Sequence, residues 1–319
     1  MSIILSRLKS IARPVFNVVL RPLINILRKR KLRRKLLNTL SNHNSIYDFS
    51  ELDIELYVEE RFTLMRPLTV CSVENSDDLI KVEIKDKSIY WPKRLTNKDL
   101  PWLYHEIFDN FNVNPSSYDH PSMSLKSRKW IMDAGAAEGY FSVFSLLNTQ
   151  ALVIAVEPLS LMKPALSKTL DLYANGRKTI LVSAALADKP GWSEIQIDCD
   201  HICDSTLSPT RSAIESSAEN IITERVAITT IDELAQKNSL GYDGMIKMDI
   251  EGYEMAALSA AVNVMKEYKP SLAIAVYHEL ENAKACADII RKANPSYKIE
   301  FRGCYGYFDP PRPYMVFAY

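Results

Sequence analysis

Acid is missing from the first 35 residues, which hold eleven of the 39 basic residues. The zero net charge therefore conceals an uneven molecule. Beyond the arm, 28 basic residues face 39 acidic ones, so a basic arm precedes an acidic body. No aromatic is interleaved with the basic run 28–35, which argues against nucleic acid as its partner. A long apolar run is also missing. Arg13, Arg21 and Arg28 cut the stretches between them to seven and six residues, against the ~18 that a membrane span requires. No small-residue cleavage site follows a clean apolar core, which excludes a secretory signal. The five cysteines are odd in number and lack a framework spacing, so a disulfide scaffold is excluded and a reducing compartment is the simplest setting. Cys199-Asp-His-Ile-Cys203 lacks a nearby fourth ligand and fits no standard zinc knuckle, so no metal is expected. Internal repeats and low-complexity tracts are absent.

What remains is ample for a folded core: 319 residues, 47% of them hydrophobic, long for one compact domain. Three parts are read: a basic amphipathic arm over 1–40, an accessory lobe and linker over 50–128, and a cofactor-binding domain over 129–319. In the arm, Ile4, Leu8, Ile11, Val15, Val18 and Val19 recur at helical spacing, with Pro14 and Pro22 expected to interrupt the helix. An apolar face followed by the basic run suits an anionic membrane surface, with a docked helix or a targeting segment as alternatives. In the lobe, Leu79–Val82 and Ser88–Trp91 read as a hairpin and Leu100–Phe111 as a helix. Residues 112–129, rich in Asn, Ser and Pro, read as a linker. No lobe residue demands a chemical role.

The most informative stretch is Trp130–Ser142. An apolar strand ends in Asp133, then Gly135 and Gly139 stand four apart before an apolar helix start. Glycine lets the backbone turn and approach a ligand closely, and the helix start offers unpaired N–H groups. A second strand, Ala151–Val156, ends in Glu157-Pro158. That acid lies 22 residues after Gly135, the spacing at which a carboxylate reaches ribose hydroxyls on a doubly wound sheet. A dinucleotide would want G-x-G-x-x-G and bare backbone for its pyrophosphate. Asp133 and Glu138 are wrong for an anion and right for a methionyl amine and a sulfonium. The expected cofactor is S-adenosylmethionine. Asp133, Gly135, Ala136, Glu138 and Gly139 form its loop, Glu157 takes its ribose, and Ala185 flanks its adenine.

Strand and helix alternate from Trp130, which predicts an α/β fold with a doubly wound, mostly parallel sheet. Strands are read at 130–133, 151–156, 178–184, 245–249 and 271–277, and ligands sit at strand ends in such sheets. The fourth strand opens into Asp249-Ile-Glu251-Gly-Tyr-Glu254, and the fifth ends at Tyr277-His278. Thr230-Ile-Asp-Glu233 is a capping box as well as a motif. Together the strings Asp133-Ala-Gly135-Ala-Ala-Glu138-Gly139, Glu157-Pro158, Thr230-Ile-Asp232-Glu-Leu and Lys247-Met-Asp249-Ile-Glu251-Gly252-Tyr-Glu254 resemble the FkbM family of S-adenosylmethionine-dependent methyltransferases, over about residues 100–319. That family usually has Asn where this chain has Ala137. The resemblance implies a Rossmann-like domain of seven strands acting mostly on hydroxyl groups, often of sugars, glycolipids or secondary metabolites. On this reading His278 is the candidate general base, its ordinary pKa range suiting removal of a hydroxyl proton. Asp249 faces the acceptor with it, and Glu251, Glu254 and Tyr277 are candidate acceptor-binding residues. Two other readings stay open: a nicotinamide-dependent oxidoreductase on the same sheet, and a non-catalytic membrane-associated scaffold with a vestigial site.

Overall fold

The structure, a computed structural model, describes residues 21–42, 47, 49–60, 68–75, 78–199, 221–305 and 311–319. The arm before residue 21 and the stretch Asp200–Cys203 lie outside the described residues. Helix α1 (Arg21–Asn42) opens the described chain with Pro22 in its first turn. A first-turn proline gives up only an N–H that has no intrahelical partner, and the helix read over residues 4–19, which Pro14 and Pro22 are expected to interrupt, lies outside the described residues. Helix α2 (Glu51–Glu60) starts on a reciprocal cap. The Asp53 N–H donates to Ser50 Oγ at 3.1 Å and the Ser50 N–H to Asp53 Oδ2 at 3.1 Å.

Strands β1 (Cys71–Asn75), β2 (Leu79–Ile84) and β3 (Lys87–Pro92) make a small antiparallel sheet. It contains the expected hairpin, turning at Lys85-Asp86. Helix α3 (Leu100–Phe108) stops short of Phe111 because Asn114 Nδ2 donates to the carbonyls of His105 and Glu106, at 3.2 and 2.8 Å. A side chain thus takes the place of another helical turn. Residues 114–120 are mostly buried, unlike a solvated linker. The segment pairs its own polar groups: Asn114 Oδ1 accepts from the Ser116 N–H at 3.0 Å and from Ser116 Oγ at 2.9 Å.

Strand and helix then alternate, through β4 (Trp130–Ala134), α4 (Tyr140–Asn148), β5 (Leu152–Val156), α5 (Lys163–Ala174) and β6 (Thr179–Val182). A side sheet follows, made of β7 (Ala185–Leu186), β8 (Gly191–Asp198) and β9 (Ile221–Thr229). The second half runs α6 (Ile231–Lys237), β10 (Gly244–Met248), α7 (Glu254–Ser259), α8 (Val262–Glu267), β11 (Ser271–Ala275), α9 (Asn282–Ala293), β12 (Ile299–Tyr305) and β13 (Arg312–Ala318). Seven strands form the main sheet in the order β12-β13-β11-β10-β4-β5-β6, with β13 antiparallel to both neighbours and the β11-to-β6 half parallel. The chain reverses direction of winding between β4 and β10, which is where such sheets bind ligands.

Strands β4, β10, β11 and β13 are buried at every position, as continuous apolar runs in a covered sheet should be. Ile131, Met245, Ala273 and Phe317 face one core, and Met132, Ile246, Ile274 and Val316 the other. The first core also takes Ile84, Ile89 and Trp91 of the lobe. The lobe is pinned to α5 by the Tyr90 N–H on Thr169 Oγ1 at 2.8 Å and the Ser88 N–H on the Tyr173 hydroxyl at 2.9 Å. At the foot of β10, a Cβ on Gly244 would stand 2.0 Å from the Trp130 ring, so glycine there is the condition for burying the indole.

Helices α1 and α2 dock on the edge strand β12. Leu36, Ile54, Tyr57 and Val58 bury together against Cys304. Asp53 Oδ1 accepts from Arg302 Nη1 and from the Gly303 N–H, both at 2.8 Å. Both charged side chains are almost fully buried, and removing one partner of such a pair strands the other charge. Asp53→Ala should therefore cost about 3–5 kcal/mol in guanidinium unfolding. An unchanged midpoint would show that the docking does not depend on this pair.

Candidate functional site

The site lies at the carboxyl ends of β4, β5, β10 and β11. Asp133 and Lys247 stand directly opposite in the β4–β10 register, on the face of the sheet that carries Ile131 and Met245. Lys247 Nζ is 3.0 Å from Asp133 Oδ1 and donates to the Gly135 carbonyl at 2.6 Å. Asp133 Oδ2 accepts from Ser142 Oγ of α4 at 2.7 Å. Burial alone would lower the Lys247 pKa, but Asp133, Asp249 and Glu138 outweigh it and raise it. The pair thus sits beneath the glycine loop and fixes the loop's first carbonyl.

The loop is tight for a further reason. The Asp249 N–H donates to the Ala134 carbonyl at 3.0 Å, and a Cβ on Gly135 would stand 1.8 Å from the Asp249 carbonyl oxygen. Only glycine permits the two strand ends to touch. The Gly135 and Ala136 N–H groups both donate to the Val156 carbonyl at 3.0 Å. Ala137 is left-handed at φ 41°, a conformation that costs an alanine roughly 1–2 kcal/mol and that Asn tolerates better. Its N–H is held by Glu157 Oε2 at 2.9 Å, and Glu157 Oε1 accepts from the Leu159 N–H at 3.1 Å. Burial pushes Glu157 up to about 7 against the pull of those two N–H groups. Glu138 is likewise pushed to about 7 by burial, against its own and the Tyr140 N–H. Gly139 then caps α4 in a left-handed conformation, at φ 88°.

The acids named from the sequence meet at the ends of β10 and β11. Asp249 Oδ2 accepts from the Tyr118 hydroxyl at 2.9 Å. Glu251 holds a left-handed backbone at φ 55°. Glu254 Oε1 accepts from the Ile250 and Gly252 N–H groups at 3.1 and 3.2 Å, and its Oε2 from Asn282 Nδ2 at 3.1 Å. The buried His278 ring lies among all three. Nε2 is 3.2 Å from Glu251 and 3.6 Å from Asp249, and Nδ1 is 3.3 Å from Glu254. Burial alone would lower its pKa, but Glu254 and Glu251 raise it well above 6.5. Glu251 is itself raised, by burial first, whereas His278 overcomes burial at Glu254 and lowers it. Asp249, Glu254 and His278 also offer ligand atoms within 4.8 Å of one another, a donor set a divalent cation accepts, although Glu254 already spends its oxygens on three donors.

Tyr277 stacks on His278 with ring centroids 4.2 Å apart, and Tyr305 and Tyr314 extend the aromatic wall. Ala185 is buried at the start of β7, where the chain leaves the main sheet after Val182 and joins the side sheet opposite Ile228. The Thr230 capping box is present, with Glu233 N–H on Thr230 Oγ1 at 3.1 Å.

The structure adds residues that the sequence did not single out. Glu106 of α3 reaches the same acid group and is raised by burial, then by Asp249 and Glu138. Tyr118 comes from the segment read as a linker. Neither carries a local signal: each becomes a site residue only because its element packs over the strand ends.

A switch-point glycine loop, an acid closing β5 and an acid-rich turn after β10 define a Rossmann-like methyltransferase domain. Residues 133–295, just over half of the chain, match the methyltransferase FkbM domain model. The chain belongs to the FkbM methyltransferase family, whose methyl donor is S-adenosylmethionine. Among solved structures it is similar to methyltransferase FkbM from Methylobacillus flagellatus KT, at 19% identity and TM-score 0.46, over 68% of this chain and 48% of that one. It is also similar to precorrin-6y C5,15-methyltransferase from Geobacter metallireducens GS-15, at 10% identity and TM-score 0.36, over 72% and 94%. A third is magnesium protoporphyrin IX methyltransferase from Synechocystis PCC 6803 with bound SAM, at 12% identity and TM-score 0.32, over 61% and 70%. The chain spans about half the length of the M. flagellatus protein. No curated protein matches it.

The residues present fit that donor. The loop backbone is exposed by glycine, and the carboxylates of Glu138 and Glu157 suit a ligand bearing an ammonium, a sulfonium and ribose hydroxyls. Both carboxylates sit near 7, so ionisation through neutral pH should strengthen binding. Affinity for S-adenosylmethionine in calorimetry should rise up to about tenfold per pH unit between pH 6 and 7 and level off above 8. Glu157→Gln should make the profile shallower, with Glu138 still titrating, whereas an unaltered slope in that variant would show that Glu157 does not contribute.

Proposed function

We propose that this chain transfers a methyl group to a hydroxyl of a small-molecule or glycan acceptor held between the β10 and β11 strand ends and the tyrosine wall. S-adenosylmethionine, when bound, supplies an electrophilic methyl group on sulfur. Asp133, Gly135, Ala136, Glu138 and Gly139 would hold its methionyl end, Glu157 its ribose and Ala185 its adenine. The observation that carries the reading is Asp249, whose Oδ2 is fixed by Tyr118 while the remaining oxygen faces His278 across 3.6 Å. A carboxylate so placed accepts the hydroxyl proton, which an amine acceptor would not need to the same degree.

His278 fits a different task from the one its residue type suggested. A base needs a lone pair, and carboxylates 3.2 and 3.3 Å from the two ring nitrogens favour the protonated ring instead. We assign it to holding Asp249, Glu251 and Glu254 in place, with Asp249 as the proton acceptor. Its stabilising contribution is present in full below the unfolded value near 6.5 and is lost as pH rises through the raised folded value. Alignment of donor and acceptor then supplies much of the rate. Glu251, Glu254 and Tyr277 line the acceptor side.

The test is transfer from labelled S-adenosylmethionine to a panel of sugars, glycolipids and phenols, with the methylated atom located by NMR. Asp249→Asn should lower kcat by about 10²–10⁴ with S-adenosylhomocysteine affinity little changed. Near wild-type turnover in that variant would hand the proton to water. Methylation of amines alone, or stabilisation by NADH in place of S-adenosylhomocysteine, would overturn the reading itself.

A further inference from the structure

Helix α1 has two unlike faces. Its inner face is spent on the body of the protein. Leu36 is buried, and Leu32, Leu37 and Leu40 pack beside it against α2 and β12. The two inner cations are neutralised, Lys29 by Glu59 and Arg33 by Glu51. The outer face carries Arg28, Arg30, Lys31, Arg34 and Lys35, all exposed. Leu27, Lys31 and Arg34 follow one another at the spacing of a single helical column, with the other cations to either side. The helix contains no acid at all. Beside the cations, Ile26 is 47% and Leu27 64% exposed.

We infer that this outer face of α1 binds the surface of an anionic lipid bilayer. Five exposed cations with no acid paired to them among the described residues attract a negatively charged leaflet, and the two aliphatic side chains gain by entering its headgroup boundary. A nucleic acid would satisfy the cations only. It gives Ile26 and Leu27 nothing, and the face offers no aromatic for stacking. The contact is peripheral, since among the described residues no helix is long and apolar enough to cross a membrane. The placement also has a direction. α1 packs on α2, α2 rests on β12, and β12 ends at Tyr305 of the aromatic wall, which ties the helix to the strand that carries part of that wall. The inference concerns the face of α1 and stands whether or not the acceptor carries a hydroxyl.

The experiment is sedimentation of the full chain with vesicles of phosphatidylglycerol and phosphatidylcholine, against phosphatidylcholine alone. Binding should require the anionic lipid and fall as salt rises from roughly 50 to 500 mM. Replacing Arg28, Arg30, Lys31, Arg34 and Lys35 together by Gln should weaken it by up to about three thousandfold, at roughly fivefold per cation. Ile26→Ser with Leu27→Ser should weaken it by at least about tenfold. Both variants should keep the wild-type circular dichroism and the thermal stabilisation by S-adenosylhomocysteine, which separates this result from any failure of the methyltransferase reading. The inference is overturned if the wild type ignores anionic vesicles at low salt or binds neutral ones equally. It is also overturned if the five-Gln variant binds undiminished, or if a duplex oligonucleotide outcompetes the vesicles.

Discussion

The buried Asp133–Lys247 pair is the constraint on which the rest of the site hangs. It joins the two strands between which the sheet changes its winding, and it does so immediately beneath the glycine loop. A lone buried carboxylate or ammonium would be prohibitive, and each is tolerated only because the other is 3.0 Å away. The lysine has donors to spare, and one of them fixes the Gly135 carbonyl. The loop therefore inherits its position from an electrostatic requirement of the core.

Acid crowding is the second theme. Glu106, Glu138, Glu157, Asp249, Glu251 and Glu254 gather around Lys247 and His278. Such a group is costly without a positive ligand, and several members answer by holding their protons more tightly, as Glu106, Glu138, Glu157 and Glu251 do. Left-handed Ala137 and Glu251 add local backbone strain at the same place. Strain and excess negative charge together mark a surface shaped for a cationic ligand.

The sheet was legible because its signals are local. Apolar runs ending in Asp133, Val156, Met248 and Ala275 announce strands, and Gly135 and Glu157 announce the turn and its acid at a fixed spacing. The capping box at Thr230 was equally plain. The surroundings of His278 were not legible, because Glu251 and Glu254 approach its ring only through the left-handed turn at 251 and the contact of Glu254 with Asn282 of a later helix. Glu106 and Tyr118 were hidden for the same reason: their meaning lies in packing across more than a hundred positions. The two faces of α1 were half legible. Its charge is written in the sequence, but which cations are spent inward on Glu51 and Glu59 is decided by docking.

The antiparallel strand β13 carries a consequence for the order of assembly. It lies between β11 and β12, and among the described residues β12 has no other strand neighbour. The edge that receives α1 and α2 thus does not exist until about residue 318 has been synthesised and has folded back against β11. During translation α1 stays without this platform while some 270 further residues are made, at about 5–20 residues per second. Throughout that interval Lys29 and Arg33 have their partners Glu59 and Glu51 within reach on α2, but Asp53 lacks Arg302, so the charge left waiting for the sheet is an acid of α2.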